Sequence, residues 1–179
     1  MEQEINHAVE VLRQGGVILY PTDTIWGIGC DARNADAVER LYTIKERDRS
    51  KSMLVLVANG RMAEDGRPTT YILSRAIWHD EMHLKVADNL PADDGSLGIR
   101  VPQHTFCQEV IQRLGAPLVS TSANLSGRPS PKSYNEIEKE LKQRVDYCVP
   151  PLPIFLSNET RGSRIVKIAP DGTETIIRP

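Results

Sequence analysis

Residues 120–131, Ser-Thr-Ser-Ala-Asn-Leu-Ser-Gly-Arg-Pro-Ser-Pro, follow a short apolar run at 116–119. Hydroxyls and backbone N–H groups gathered at a strand end suit a ligand rich in acceptor oxygens, such as a phosphate or a carboxylate. A Ser-rich turn capping the next helix is the plainer alternative. A second polar strand end lies near the start of the chain. There Pro21 stops the apolar run 17–20, and Thr22, Asp23 and Thr24 follow. Trp26, Gly27 and Gly29 come next, at positions where backbone can approach closely.

Between these two segments stand four cations in eight residues, Lys45, Arg47, Arg49 and Lys51. On a continuing helix Lys45 and Arg47 would point to different sides, whereas in extended chain all four share a face. A helix ending near Ile44 would therefore release a row of cations able to neutralise a triphosphate, with Arg gripping oxygens in bidentate fashion. The alternative is a solvated helix end whose cations complement the dipole, and Arg49 is read that way. Arg100 lies in the strand-like run 97–101 between Ile99 and Val101. A cation on a half-buried strand needs a partner, which one of the 24 acidic residues could supply as an internal salt bridge. His79 and His83 are four apart but lack a third ligand and the His-Glu-x-x-His spacing, so the segment reads as polar surface. Cys107, near His104, reads as core.

Pro-Thr-Asp-Thr at 21–24, Lys-x-Arg at 45–47 and Ser-x-Asn at 122–124 occur in register with Ser163-Arg-Ile-Val and Ile176-Ile-Arg-Pro. Together they resemble the YrdC-like threonylcarbamoyl-adenylate synthases from about residue 5 to residue 178. The resemblance implies one YrdC-like domain over residues 1–179, with a twisted, partly open mixed β-sheet and flanking helices around a concave cleft. It also implies a nucleotidyltransferase that joins L-threonine, bicarbonate and ATP, with Mg²⁺ accompanying the nucleotide, and that releases pyrophosphate. Residue by residue, it puts Thr24, Arg100 and Ser120 on threonine, Arg100 at its carboxylate. It puts Lys45 and Arg47 at the phosphates as the catalytic cations, and Ser96, Ser122, Asn124, Ser130, Ser163 and Arg178 on ATP. The implied product serves tRNA modification by a separate threonylcarbamoyl transferase machinery, which makes tRNA a partner to consider. Two departures affect the amino-acid contacts: Trp78 is followed by 79–83 His-Asp-Glu-Met-His where the family usually has Pro-Gly-Pro-x-Thr, and Leu56 stands where a His is frequent. Related domains inside larger carbamoyltransferases come with zinc-binding and acylphosphatase-like segments not found in these 179 residues. A non-catalytic RNA-binding module using the same basic concavity is the competing reading. Low aromatic content (2 Phe, 2 Trp, 5 Tyr) and a formal charge of −2 stand against it.

The elements that must position these groups alternate along the chain. Ile5, Ala8, Val9 and Leu12 recur at helical spacing before Gly15-Gly16, and Asn34 can cap a helix with the apolar face Ala37, Val38, Leu41 and Ile44. The run 53–57 reads as a central strand, 69–77 as the start of a helix, and Leu84 with Val86 as an edge strand. Phe106, Val110, Ile111 and Leu114 mark a helix ending at Gly115, and Ser133 caps one containing Ile137 and Leu141. Short strands are expected at 145–149, 153–156, 164–168 and 173–177. The class is α/β, with a strand-rich end that breaks a doubly wound pattern. At 40% hydrophobic and 26% charged residues the chain is of ordinary globular composition. Three scattered cysteines, no signal-peptide core and no membrane-length apolar run lead to the expectation of a cytoplasmic protein without membrane attachment.

Overall fold

The computed structural model describes residues 1–179. Helix α1 (Glu2–Arg13) leads into strands β1 (Ile18–Tyr20) and β2 (Gly27–Gly29), then helix α2 (Ala35–Lys45). Strands β3 (Leu54–Leu56), β4 (Thr69–Leu73) and β5 (Leu97–Arg100) precede helix α3 (Thr105–Leu114) and strand β6 (Leu118–Ser122). Helix α4 (Lys139–Arg144), strand β7 (Tyr147–Cys148) and the hairpin β8 (Arg164–Ile168) and β9 (Glu174–Arg178) complete the chain. The strands form one mixed sheet in the order β7-β1-β2-β6-β3-β5-β4-β8-β9. Pairs β1–β7, β3–β5 and β4–β8 are parallel and the rest antiparallel. No helix is long and apolar enough to cross a membrane.

The helices form where periodicity and caps agree. Asn34 accepts the Ala37 N–H at 3.0 Å, and Gly115 ends α3 at φ +71°, a conformation that costs glycine nothing. The strand period of two then sorts the sheet's faces. Val55, Tyr71, Leu97, Ile99 and Val119 point into a core under α2, α4 and the 77–90 segment. The opposite face carries Leu56 and Leu118 beneath α1 and α3. Further along that same face, beyond the two helices, lie Leu54, Thr70, Ile72, Gly98, Arg100, Ser120 and Ser122. That uncovered stretch of sheet is the floor of the principal cavity.

Four expectations from the sequence require correction. Residues 69–73 are a strand, not a helix, because the β-branched and aromatic run Thr-Thr-Tyr-Ile fits between β5 and β8. Leu84 and Val86 form no strand; both side chains pack against the core from irregular backbone. Residues 153–155 make a 3₁₀ turn that prolines 150, 151 and 153 favour over a ladder strand. Ser133 makes no side-chain cap, and the helix expected after it breaks at Ile137 into a 3₁₀ turn and the short α4. Trp78 sits on a single π-helical turn (Ala76–Glu81), with its indole N–H donating to Gly95 O at 2.9 Å. His79 there pairs with its neighbour Asp80.

Candidate active site

The principal cavity encloses about 330 Å³. Nine hydroxyl side chains line it: Thr24, Ser52, Thr70, Ser96, Ser120, Thr121, Ser122, Ser130 and Ser163. Three guanidiniums, Arg47, Arg100 and Arg178, share the lining, and no carboxylate does. Burial holds Arg47 and Arg178 below the ordinary guanidinium range, and Arg178 is lowered further by the charge of Arg100. Arg47 and Arg178 pair with no carboxylate, and such positive charge facing hydroxyls suits a polyanion.

Each wall has a local cause. Glu46 adopts the left-handed conformation at φ 53°, ending α2, while Arg144 donates to both Ile44 O and the Glu46 carboxylate at 3.0 Å. The turn sends Arg47 into the cavity, where Nε and Nη2 donate to Lys51 O and Ser52 O at 2.9 Å. Thr22 Oγ1 accepts the Thr24 N–H and bonds Thr24 Oγ1, both at 3.0 Å, so the loop after β1 presents Thr24 in one orientation. Thr70 and Ser163 share a 2.7 Å hydrogen bond across the β4–β8 pair, and Arg178 Nε donates to Ser163 O at 2.9 Å. Gly98 packs closely: a Cβ there would lie 3.2 Å from Leu54 Cβ and 3.3 Å from Thr70 Cγ2.

Arg100 is 3% exposed and ion-paired through Nη1 with Asp23, itself 7% exposed. The internal salt bridge thus exists alongside the cavity position. Asp23 Oδ2 also accepts the Gln103 N–H at 2.9 Å, and Arg100 Nε is buried without a protein partner. Asp23 thus engages Nη1 alone, and the rest of the guanidinium, on a residue that lines the cavity, has no protein partner.

Of the residues assigned from sequence, the structure brings together Thr24, Arg47, Ser96, Arg100, Ser120, Ser122, Ser130, Ser163 and Arg178. Lys45 and Asn124 are not in the lining. The Lys45 ammonium, 1% exposed, donates to Ser122 O and Asn124 O at 2.5 and 2.8 Å. Asn124 donates through Nδ2 to Leu125 O and Arg128 O. Both clamp the loop after β6 and act on the cavity through its shape. Arg49 pairs on the surface with Glu39, as its helix-end reading expects. Ser52, Thr70 and Thr121 in the lining, and Asp23 beside Arg100, are additions. Thr70 was hidden by the helical reading of its segment, and nothing in sequence spacing joins Asp23 to Arg100, 77 residues on.

Burial, with a smaller contribution from Arg47, lowers the Lys45 pKa from 10.5 to about 7. The unfolded chain then binds more protons than the fold between those values, so this group makes stability rise with pH from about 7 toward 10.5. Lys45→Met should cost about 1–3 kcal/mol by leaving two buried carbonyls unpaired, and should abolish that rise. Urea unfolding of both proteins across the window checks this. A stability difference that does not change with pH contradicts it.

Comparison with known proteins identifies the family and the fold. The Sua5/YciO/YrdC family model, described as telomere recombination, matches residues 10–179. A threonylcarbamoyl-AMP synthase of Halorhodospira halophila is 35% identical over 156 residues, spanning 82% of each chain. P. abyssi Sua5, solved in complex with L-threonine, superposes with a TM-score of 0.79 at 22% identity over all of this chain and 54% of its own. E. coli YciO superposes at 0.71 with 23% identity, over 99% of this chain and 89% of that one. The chain therefore spans about half of the P. abyssi protein, and at these identities the two structures speak to the fold.

Proposed function

Because the chain belongs to the Sua5/YciO/YrdC family, we propose that it makes threonylcarbamoyl-AMP and pyrophosphate from L-threonine, bicarbonate and ATP. The observation that carries this reading is a hydroxyl-rich cavity with three arginines and no carboxylate in its lining. Threonine's amine and bicarbonate give a carbamate and water. A carbamate oxygen then bonds to the α-phosphorus as the bond to the β-phosphate oxygen breaks, and pyrophosphate departs. No protein nucleophile takes part. The chain brings anions together and stabilises charge on the transferring phosphorus.

Arg100 holds the threonine carboxylate on its free edge, with Thr24 and Ser120 beside it. Arg47 and Arg178 face phosphates from opposite walls, and Ser96, Ser122, Ser130 and Ser163 supply hydroxyls to the nucleotide. Lys45 and Asn124 are positioning residues for the Ser122–Ser130 loop. With no acidic side chain in the lining, Mg²⁺ arrives as the substrate complex Mg·ATP, held by phosphate oxygens. The product passes to a separate transferase that modifies adenosine in tRNA. The protein acts in the cytoplasm, where its three free thiols persist.

Following pyrophosphate release with ATP, threonine, bicarbonate and Mg²⁺, and omitting each in turn, tests the reading. Release should require all four, and release indifferent to threonine contradicts it. Arg47→Ala should weaken nucleotide use roughly ten- to hundredfold, the loss of a charge-assisted phosphate contact of about 1.5–3 kcal/mol. Arg49→Ala, on the surface ion pair, should change it less than about twofold. Equal losses that shrink with added salt point instead to diffuse electrostatics.

A further inference from the structure

A smaller recess of about 120 Å³ adjoins the principal cavity, and the two share Thr24 and Gly162. Three arginines from two segments line it: Arg67 from the loop before β4, and Arg161 and Arg164 from the stretch that leads into β8 and its first position. Glu159 is the one acidic side chain in its lining. Its Oε1 already accepts the Thr160 and Arg161 N–H groups at 3.0 and 3.1 Å, and Arg161 Nε stays 4.0 Å away.

The three guanidiniums differ in how far they are committed. Arg164 is fixed, donating to both oxygens of Asp65 at 2.9 and 3.2 Å and to Thr69 Oγ1 at 3.2 Å. Asp65 also takes the backbone N–H of Arg67 at 3.1 Å, which sets that loop. The Arg67 guanidinium makes no hydrogen bond within the protein, and the Arg161 side chain is 87% exposed. Arg164, held in place by Asp65, thus stands beside two guanidiniums, Arg67 and Arg161, that donate no hydrogen bond within the protein, on a chain of net charge −2. Local positive charge of this kind concentrates anions, and a volume this small suits a compact one.

We propose that this recess is a subsite for a small oxyanion that the reaction consumes or releases, bicarbonate or pyrophosphate, held by Arg67 and Arg161 against Arg164. The proposal rests on the synthase reading for the identity of the anion. The recess meets the principal cavity at Thr24, so an anion bound there is one step from the threonine position. The same path would let a product leave the three cavity arginines by transfer to a second, more exposed set.

The test compares the unmutated protein with the double variant Arg67→Gln and Arg161→Gln, and with Arg49→Gln as an exposed control distant from the recess. Both substituted residues are exposed, and a thermal melt checks that the fold is kept. In steady-state turnover the double variant should keep its ATP and threonine KM within about twofold. Either the half-saturating bicarbonate concentration should rise, or product inhibition by pyrophosphate should weaken, by about tenfold. A bicarbonate shift identifies the recess as the point of arrival, and a pyrophosphate shift as the point of departure. If neither shifts, or if the control shifts equally, the subsite does not exist. Calorimetric binding of pyrophosphate and of bicarbonate to both proteins, without ATP or threonine, separates the two readings. A protein that turns nothing over yet loses anion affinity in the double variant keeps the subsite and loses the synthase assignment. Active protein with unchanged anion binding and kinetics does the reverse.

Discussion

Arg100→Lys should raise the threonine requirement roughly ten- to hundredfold while leaving ATP affinity within a few-fold. The argument rests on which edge of the guanidinium is free. Asp23 takes Nη1, and Nε has no partner, so the Nε–Nη2 edge is the one whose donors remain for a carboxylate. A planar fork meets a carboxylate in two parallel hydrogen bonds, and an ammonium cannot hold Asp23 and a second carboxylate with the same geometry. Threoninamide, which lacks the carboxylate, should be a poor substrate for the unmutated protein and lose little more in the variant. That non-additivity is the decisive measurement. If the acid and the amide lose equally, Arg100 serves only the ion pair with Asp23. The ion pair predicts its own effect: Asp23→Ala strands a buried guanidinium and should destabilise the fold by about 3–5 kcal/mol.

Gly29→Ala should be the most damaging single methyl in the chain. A Cβ at residue 29 would stand 1.7 Å from the Val119 carbonyl oxygen and 2.8 Å from its carbon. Both neighbours are backbone in the middle of the sheet, and the same carbonyl accepts the buried Tyr20 hydroxyl at 3.1 Å. Neither β2 nor β6 can move without disturbing the strand that carries Ser120 and Ser122. The loss should exceed about 3 kcal/mol, beyond the usual cost of overpacking. Gly115→Ala provides the contrast, since its left-handed φ of +71° is strained for alanine but the space around it is open. It should cost about 1 kcal/mol. Urea midpoints rank the two, and comparable losses would mean that the sheet yields at β2.

The sequence displayed those parts of the fold that obey local rules. Helices α1, α2 and α3 carry continuous apolar faces, and the caps at Asn34 and Gly115 lie where the pattern stops. Strand β4 was obscured because two threonines open it, both buried, and its alternate positions Thr70 and Ile72 line the polar cavity, so no clean apolar alternation survives. The 77–90 segment packs by single side chains, Trp78 from a lone π-helical turn and Leu90 from irregular backbone, which no apolar period describes. Within the site, motif register gathered nine lining residues from six stretches of chain. It could not separate groups that face the cavity from groups that shape it. Lys45 and Arg47 stand two apart in one motif, yet the left-handed turn at Glu46 sends one ammonium into the loop's carbonyls and the other cation into the cavity. That division is decided by a single backbone angle. The pairing of Asp23 with Arg100 likewise exists only once β5 and the loop after β1 are in place.

The cavity wall at Arg178 is carried by β9, the last strand in the sheet order, whose five residues are all exposed. Edge strands with little burial open at small free-energy cost, well short of global unfolding. A ligand that needs Arg178 in place binds only the closed edge, and so suppresses that opening by roughly 1 + [L]/Kd. Amide hydrogens of residues 174–178 should therefore exchange about a hundredfold more slowly at a hundredfold excess of nucleotide over its Kd. The frayed border of the sheet becomes its occupancy gauge, readable by mass spectrometry whether or not a turnover has taken place.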